Sequence, residues 1–296
     1  MHWDIAAASI FVGFVIGLTG MGGGALMTPM LVILFNIAPS AAISSDVVAS
    51  FILKPIGGGV HIRKRTVNWT LVRWLAVGSV PSAFLGAYVV DQIASKGTET
   101  RIKEILGAVL LIAASAMLVK VFVQARRHVS NDAMLDPRVI RPLSTVAIGL
   151  VGGFIVGMTS VGSGSLMIVM LMLLYPALSS REMVGTDLVQ AIPLVGAAAL
   201  GHLIFGNFQL GLTTSVLVGA IPGVYAGAHV SARASDRYIK PVLVAVLTIS
   251  SLKLLNVSNR ALLASTGAAG VALLVGYVVS ARRRRRVHEH ELAIAA

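Results

Sequence analysis

Five ionisable side chains stand in this sequence where apolar neighbours leave little room for charge. Asp46, Lys54 and His61 fall in SSDVVASFILKPIGGGVH (44–61), and Asp187 and His202 fall in TDLVQAIPLVGAAALGH (186–202). A lysine in the middle of a bilayer costs about 2.5–3.5 kcal/mol on insertion scales, so it needs a partner or a cavity. Lys54 is therefore read as the cationic ligand of an anion; the alternative is a stem that snorkels to an interface. The second segment has no cation at the matching place and offers the Gln190 amide nearby. Asp46 and Asp187 follow Ser44, Ser45 and Thr186, so they are read as helix caps facing free N–H groups and the positive end of the dipole. The functional alternative is proton or ion coupling. His61 and His202 lie about 22 Å further along a continuous helix, too far for a local dyad with those carboxylates. They are expected at C-terminal interfaces, with proton relay or ion coupling as the alternative.

A second group of residues has backbone chemistry to offer. GLTGMGGGALM (17–27) and GMTSVGSGSLM (157–167) interrupt apolar runs, and each is followed by a short apolar segment. Irregular backbone at membrane depth is tolerated only inside protein or against a water-filled cavity. A half-helix that begins after such a break presents unpaired N–H groups and a positive dipole end, which bind anions. The expected substrate-binding residues are thus Thr19, Gly20, Met21, Gly22, Gly23 and Gly24 in the first segment. In the second they are Thr159, Ser160, Gly162, Ser163 and Gly164, with Lys54 and Gln190 beside both. The spacings Gly13-x-x-x-Gly17 and Gly153-x-x-x-Gly157 are assigned to close helix packing instead. No strand precedes the glycines, so they are not a dinucleotide loop. There is no cysteine and no metal-ligand or nucleophile motif, so no cofactor and no metal are expected.

The elements that hold these residues follow from composition. The chain has 296 residues, 56% hydrophobic and only 12% charged. A soluble domain carries about 25% charged residues, so this chain cannot coat a globular surface. Its longest charge-poor runs, 5–45, 143–180 and 188–230, exceed the roughly 20 residues that a bilayer requires, which predicts an all-α polytopic membrane protein. The net charge of +12 marks cytoplasmic loops rather than a nucleic-acid partner. The first apolar run is read as a retained helix, not a signal peptide. Helices are expected over Ile5–Thr19, Gly24–Phe35, Ala41–Val60, Trp69–Val90, Ile102–Val123, Leu143–Met158, Gly164–Tyr175, Glu182–Phe205, Leu212–Val230, Ile239–Leu255 and Ala261–Val279. Pro55 and Pro193 are expected to break or kink theirs.

The chain also repeats. From Gly13 to Leu34 half of the positions recur 140 residues on, including Gly17/Gly157, Thr19/Thr159, Gly22/Gly162 and Gly24/Gly164. Then the register becomes 141: Asp46 matches Asp187, His61 matches His202, Gly78 matches Gly219 and Pro81 matches Pro222. HIRKR (61–65) is basic while HLIFG (202–206) is not, and the next loops reverse that bias. Equivalent loops therefore prefer opposite sides of the membrane, the mark of an inverted-topology repeat. The expected layout is a first membrane repeat (1–123), a basic cytoplasmic linker (124–141), a second repeat with C-terminal helices (142–280) and a basic cytoplasmic tail (281–296). The N-terminus then falls outside. The five arginines of that tail anchor it beside anionic lipid.

GLTGMGGGALMTPML, SSDVVASFILKPIGGGVHIRKRTVNW and GSVPSAFLGAYV resemble the first half of the sulfite exporter TauE/SafE family. GMTSVGSGSLM, VGTDLVQAIPLVGAAALGHLIFGNFQ and GAIPGVYAGAHV resemble its second half, and together they cover most of residues 11–230. The loop after the first histidine departs from the family, with Thr66 and Asn68 where a glycine and an acidic residue are common. The resemblance implies an integral membrane transporter of small anions, mostly sulfur oxyanions and organosulfonates such as sulfite. Joined to the residue reading, it predicts a cell-membrane exporter, not an enzyme. The partners expected are the small anion and the lipid bilayer, with homo-oligomerisation left open. The alternatives are an anion channel or an intramembrane aspartyl enzyme using Asp46 and Asp187.

Overall fold

A computed structural model describes residues 2–19, 23–127, 140–231 and 236–257. Among them there is no strand. The helices are α1 (Trp3–Thr19), α2 (Met27–Leu34), α3 (Pro39–Arg63), α4 (Trp69–Ser95), α5 (Glu99–Arg127), α6 (Pro142–Thr159), α7 (Leu166–Leu174), α8 (Ser180–Ile204), α9 (Leu210–Ser231) and α10 (Asp236–Leu254). A single 3₁₀ turn, Gly23–Ala25, precedes α2. Among the described residues five helices are long and apolar enough to cross a membrane: α4, α5, α6, α8 and α9. They turn large apolar side chains outward, such as Trp74 and Leu85 on α4, Leu150 on α6, Leu200 on α8 and Tyr225 on α9. Water would penalise such a surface; lipid does not. The protein is an all-α polytopic membrane protein.

The expected elements appear with small shifts. α2 and α7 have eight and nine residues. At 1.5 Å per residue each is about 12–14 Å long, less than half the hydrocarbon thickness. They start at Met27 and Leu166, a little after the glycines. α5 continues to Arg127, so it runs into the expected linker. The remainder of that linker (128–139), the helix expected at Ala261–Val279 and the tail lie outside the described residues. Of the break or kink expected at the prolines, the break does not occur. α3 and α8 are continuous through Pro55 and Pro193. Proline removes one i to i−4 bond and crowds one carbonyl, but neighbouring helices and hydroxyl side chains support the backbone in membrane helices. Packing on both sides therefore outweighs the proline's local preference.

The contacts exchange between the halves. α1 lies along α9, and its sequence counterpart α6 lies along α4; α3 packs on α8, and α5 on α10. The glycines show this at residue level. Gly78 and Gly86 of α4 press on the backbone of Val146 and Phe154, while their counterparts Gly219 and Gly227 press on Ala6 and Phe14. The order of these contacts makes α1 parallel to α9 and α4 parallel to α6. Gly13, Gly153 and Gly157 also meet the partner helix backbone, as the small-residue packing reading requires. α3 and α8 run antiparallel: Gly58 faces Leu188 and Ile192, Gly196 faces Phe51, and Ser44 faces His202.

Candidate functional site

The site grows from one face of α3. Asp46, Ser50 and Lys54 are spaced by four, which puts them above one another on a helix. This stripe looks across at the 3₁₀ turn, where a Cβ on Gly23 would lie 3.3 Å from Ser50 Oγ and 3.7 Å from Asp46 Oδ1. The Thr28 hydroxyl at the start of α2 donates to Asp46 Oδ2 at 2.6 Å. A second hydrogen bond to the Asp46 carboxyl comes from Ser160, in the glycine segment of the other half. Lys54 Nζ, in a side chain only 8% exposed, donates to Ser163 Oγ of the same segment at 2.6 Å. Two residues of the first half thus reach two hydroxyls of the second. Asp187, on α8, and Asp46 both act on Lys54 as opposite charges.

The second glycine segment is shaped by its backbone. α6 ends at Ser160, which has φ 61° and returns its N–H to the Val156 carbonyl. Gly162 and Gly164 have φ of 120° and 90°, values that suit residues without a Cβ. Gly24 is required for a different reason: a Cβ there would collide with the Ser160 carbonyl. The glycine segments of the two halves are therefore in backbone contact. Of the first segment, Gly20, Met21 and Gly22 lie outside the described residues, Thr19 is described only as the end of α1, and Gly23 and Gly24 are buried.

Two expectations need correction. Asp46 and Asp187 are not helix caps. α3 begins at Pro39 and α8 at Ser180, so both carboxylates stand well inside their helices. Capping is done elsewhere. Ser179 and Glu182 form a reciprocal capping box for α8, and at the start of α3 the Glu99 carboxylate accepts the Ser40 N–H at 3.1 Å. Thr159 likewise does not turn its hydroxyl to a ligand. It donates to the Ile155 carbonyl at 2.7 Å and accepts the Val161 N–H at 3.2 Å, so it closes the end of α6.

Gln190 sits one turn beyond Asp187 on α8 and is fully buried. Its amide donates to Ser79 Oγ of α4, while its Oε1 has no partner among the described residues. Ser165 Oγ, at the start of α7, is buried and unpartnered as well. Buried polar atoms are almost always bonded, so these two orphans mark unused hydrogen-bonding capacity. Sequence reasoning missed Thr28, Ser50, Ser79 and Ser165. Only Ser50 was signalled, by its place midway between Asp46 and Lys54.

The histidines stand at the helix ends, as expected, with unequal surroundings. His202 is wholly buried, with Nδ1 3.0 Å from Ser44 Oγ and Nε2–H donating to the Gly157 carbonyl at 2.8 Å. His61 is half-buried, and its Nδ1 lies 2.9 Å from Thr66 Oγ1.

Comparison with known proteins places this arrangement. No solved structure matches the chain. The "Probable membrane transporter protein YjnA" of Bacillus subtilis is 39% identical over 257 residues, covering 86% of this chain and 100% of that protein. The "Probable membrane transporter protein YdhB" of the same organism is 24% identical over 251 residues, covering 85% and 99%. A further similar protein, from Methanocaldococcus jannaschii, is 24% identical over 267 residues and also carries the name of a probable membrane transporter protein. The family described as "Sulfite exporter TauE/SafE" matches residues 5–254, nearly the whole membrane part. This chain belongs to the sulfite exporter TauE/SafE family.

Proposed function

We propose that this protein carries a small anion out of the cell, and that the anion is a sulfur oxyanion or organosulfonate such as sulfite. The observation that carries the reading is the Lys54 ammonium, buried and aimed at Ser163 in the glycine segment of the opposite half. In this reading Lys54 supplies the charge. Ser160, Ser163, Ser165 and Gln190 supply hydrogen bonds, the backbone at Gly164 lets the ligand approach closely, and Gly24 lets the two glycine segments touch. Thr159 contributes by holding the end of α6. The family's printed description supports the sulfur chemistry and the outward direction, and the relatives' names support transport. The antiparallel run of α3 against its counterpart α8 supports opposed orientations of the two halves in the bilayer. Alternating access then follows from one half moving against the other around a shared site. An inside-negative potential favours export, by about 2.3 kcal/mol for each negative charge per 100 mV.

The test is flux in proteoliposomes. Sulfite and thiosulfate should leave protein-loaded vesicles faster than empty ones. Lys54→Ala should lower that flux at least about tenfold, the loss of one charge-assisted hydrogen bond to the ligand. Its circular dichroism should remain that of the parent. Undiminished flux with unchanged KM in Lys54→Ala would remove this site.

A further inference from the structure

An anion bound at Lys54 would sit beside buried carboxylates. The buried ionisable side chains facing this place are Asp46 and Lys54 on α3 and Asp187 on α8. His202 of α8 touches α3 at Ser44, but both its ring nitrogens have partners. Glu99 of α5 meets α3 only at its start, through Ser40. Among the described residues the buried polar side chains of α2, α4, α6, α9 and the glycine segments are hydroxyls, and none of them is charged. Fully ionised, Asp46 and Lys54 offset one another, so an arriving anion adds a negative charge beside a buried carboxylate. An anion arriving at Lys54 meets both carboxylates, and like charges buried together disfavour one another's ionised forms.

Resting on the transport reading above, we propose that anion binding takes up a proton at the Asp46 carboxyl, so that each anion moves with one proton. Asp46 is suited to this by its partners. Thr28 and Ser160 are hydroxyls, which accept as readily as they donate. A protonated Asp46 can give its new O–H to one of them, which then accepts where it had donated. Thr28 belongs to the first half and Ser160 to the second. Protonation therefore rearranges a contact between the halves, at the place where Gly24 and Ser160 touch. The charge balance is simple: a dianion with one proton moves one net negative charge and remains drivable by potential, whereas a monoanion with one proton moves none.

Thiosulfate is the right probe, because its two negative charges do not titrate near neutral pH. Full-length protein in vesicles holding a pH dye, under a set potassium diffusion potential, should move about one proton with each thiosulfate. The potential that nulls net flux should correspond to one net charge per anion. Asp46→Asn should abolish the proton movement and flatten the pH dependence of the apparent thiosulfate affinity. Wild-type flux that depends on Lys54 but carries two charges and no proton overturns the linkage and leaves the transport reading standing. Absence of Lys54-dependent flux for thiosulfate, sulfite and methanesulfonate alike overturns both. The wild-type stoichiometry decides the matter even where Asp46→Asn does not fold.

Discussion

Gln190 is buried completely, yet only one end of its amide is bonded. Burying an amide oxygen without a partner costs about 1–3 kcal/mol. Replacing the amide by an apolar side chain of similar volume removes that cost. Gln190→Leu is expected to leave the unfolding temperature in detergent unchanged or raised, while anion flux falls about tenfold, the usual opposition of stability and binding at a functional position. A rise in stability with full flux would show that the orphan oxygen serves no ligand. At this scale the sequence announced Lys54 plainly, because one charge in an apolar run has few uses. It misled on Asp46 and Asp187. Ser44 and Thr186 are acceptable helix starters, but so are Ser179 and Pro39, and the choice rests on tertiary partners such as Glu99. Thr28, Ser79 and Ser165 carried no signal of their own, since a hydroxyl in a membrane helix acquires its role only from what stands opposite.

Among the elements, the glycine segments separate two uses of one residue type. Gly24 meets the Ser160 carbonyl, whereas Gly59, inside α3, has nothing within 4 Å of where its Cβ would be. Gly24→Ala should therefore destabilise by about 1–3 kcal/mol or more, as forced overpacking does. Gly59→Ala should stabilise by about 0.5–1 kcal/mol, the ordinary helix preference for alanine. Thermal unfolding in one detergent measures both, and equal shifts would contradict the contact. The helix pattern was legible because each apolar run has nearly the length of the helix it forms. The continuity of α3 and α8 through Pro55 and Pro193 was not, because proline's local penalty is visible in sequence and the packing that outweighs it is not.

For the whole molecule, the repeat was legible from matched Asp, His, Thr and Gly positions. The pairing of α1 with α9 and of α4 with α6 was not, since periodicity says which face is apolar but not which helix covers it. The chain contains no cysteine, so single exposed cysteines report orientation cleanly. Lys64→Cys, between α3 and α4, should react with an impermeant maleimide from the cytoplasmic side. Asn207→Cys, between α8 and α9, should react from the outside. Labelling of both from one side would rule out opposed halves.

The two histidines carry a last consequence. His202 is sealed between Ser44 and Gly157, while its counterpart His61 is half open beside Thr66. The nearby loop tethers are also unequal, with Asn68 N–H 3.0 Å from Thr186 Oγ1 and Gln209 N–H 3.4 Å from Ser45 Oγ. On the alternating-access proposal the two copies, differing in conformation, would be moulds for one another: trading the two conformations would close the His61 end and loosen the His202 end without any new type of contact. Saturating anion should then shift maleimide reactivity at Thr66→Cys and Asn207→Cys in opposite directions. A common shift at both ends would mean that the asymmetry is fixed, and that the two copies have become a lock and a hinge rather than two gates.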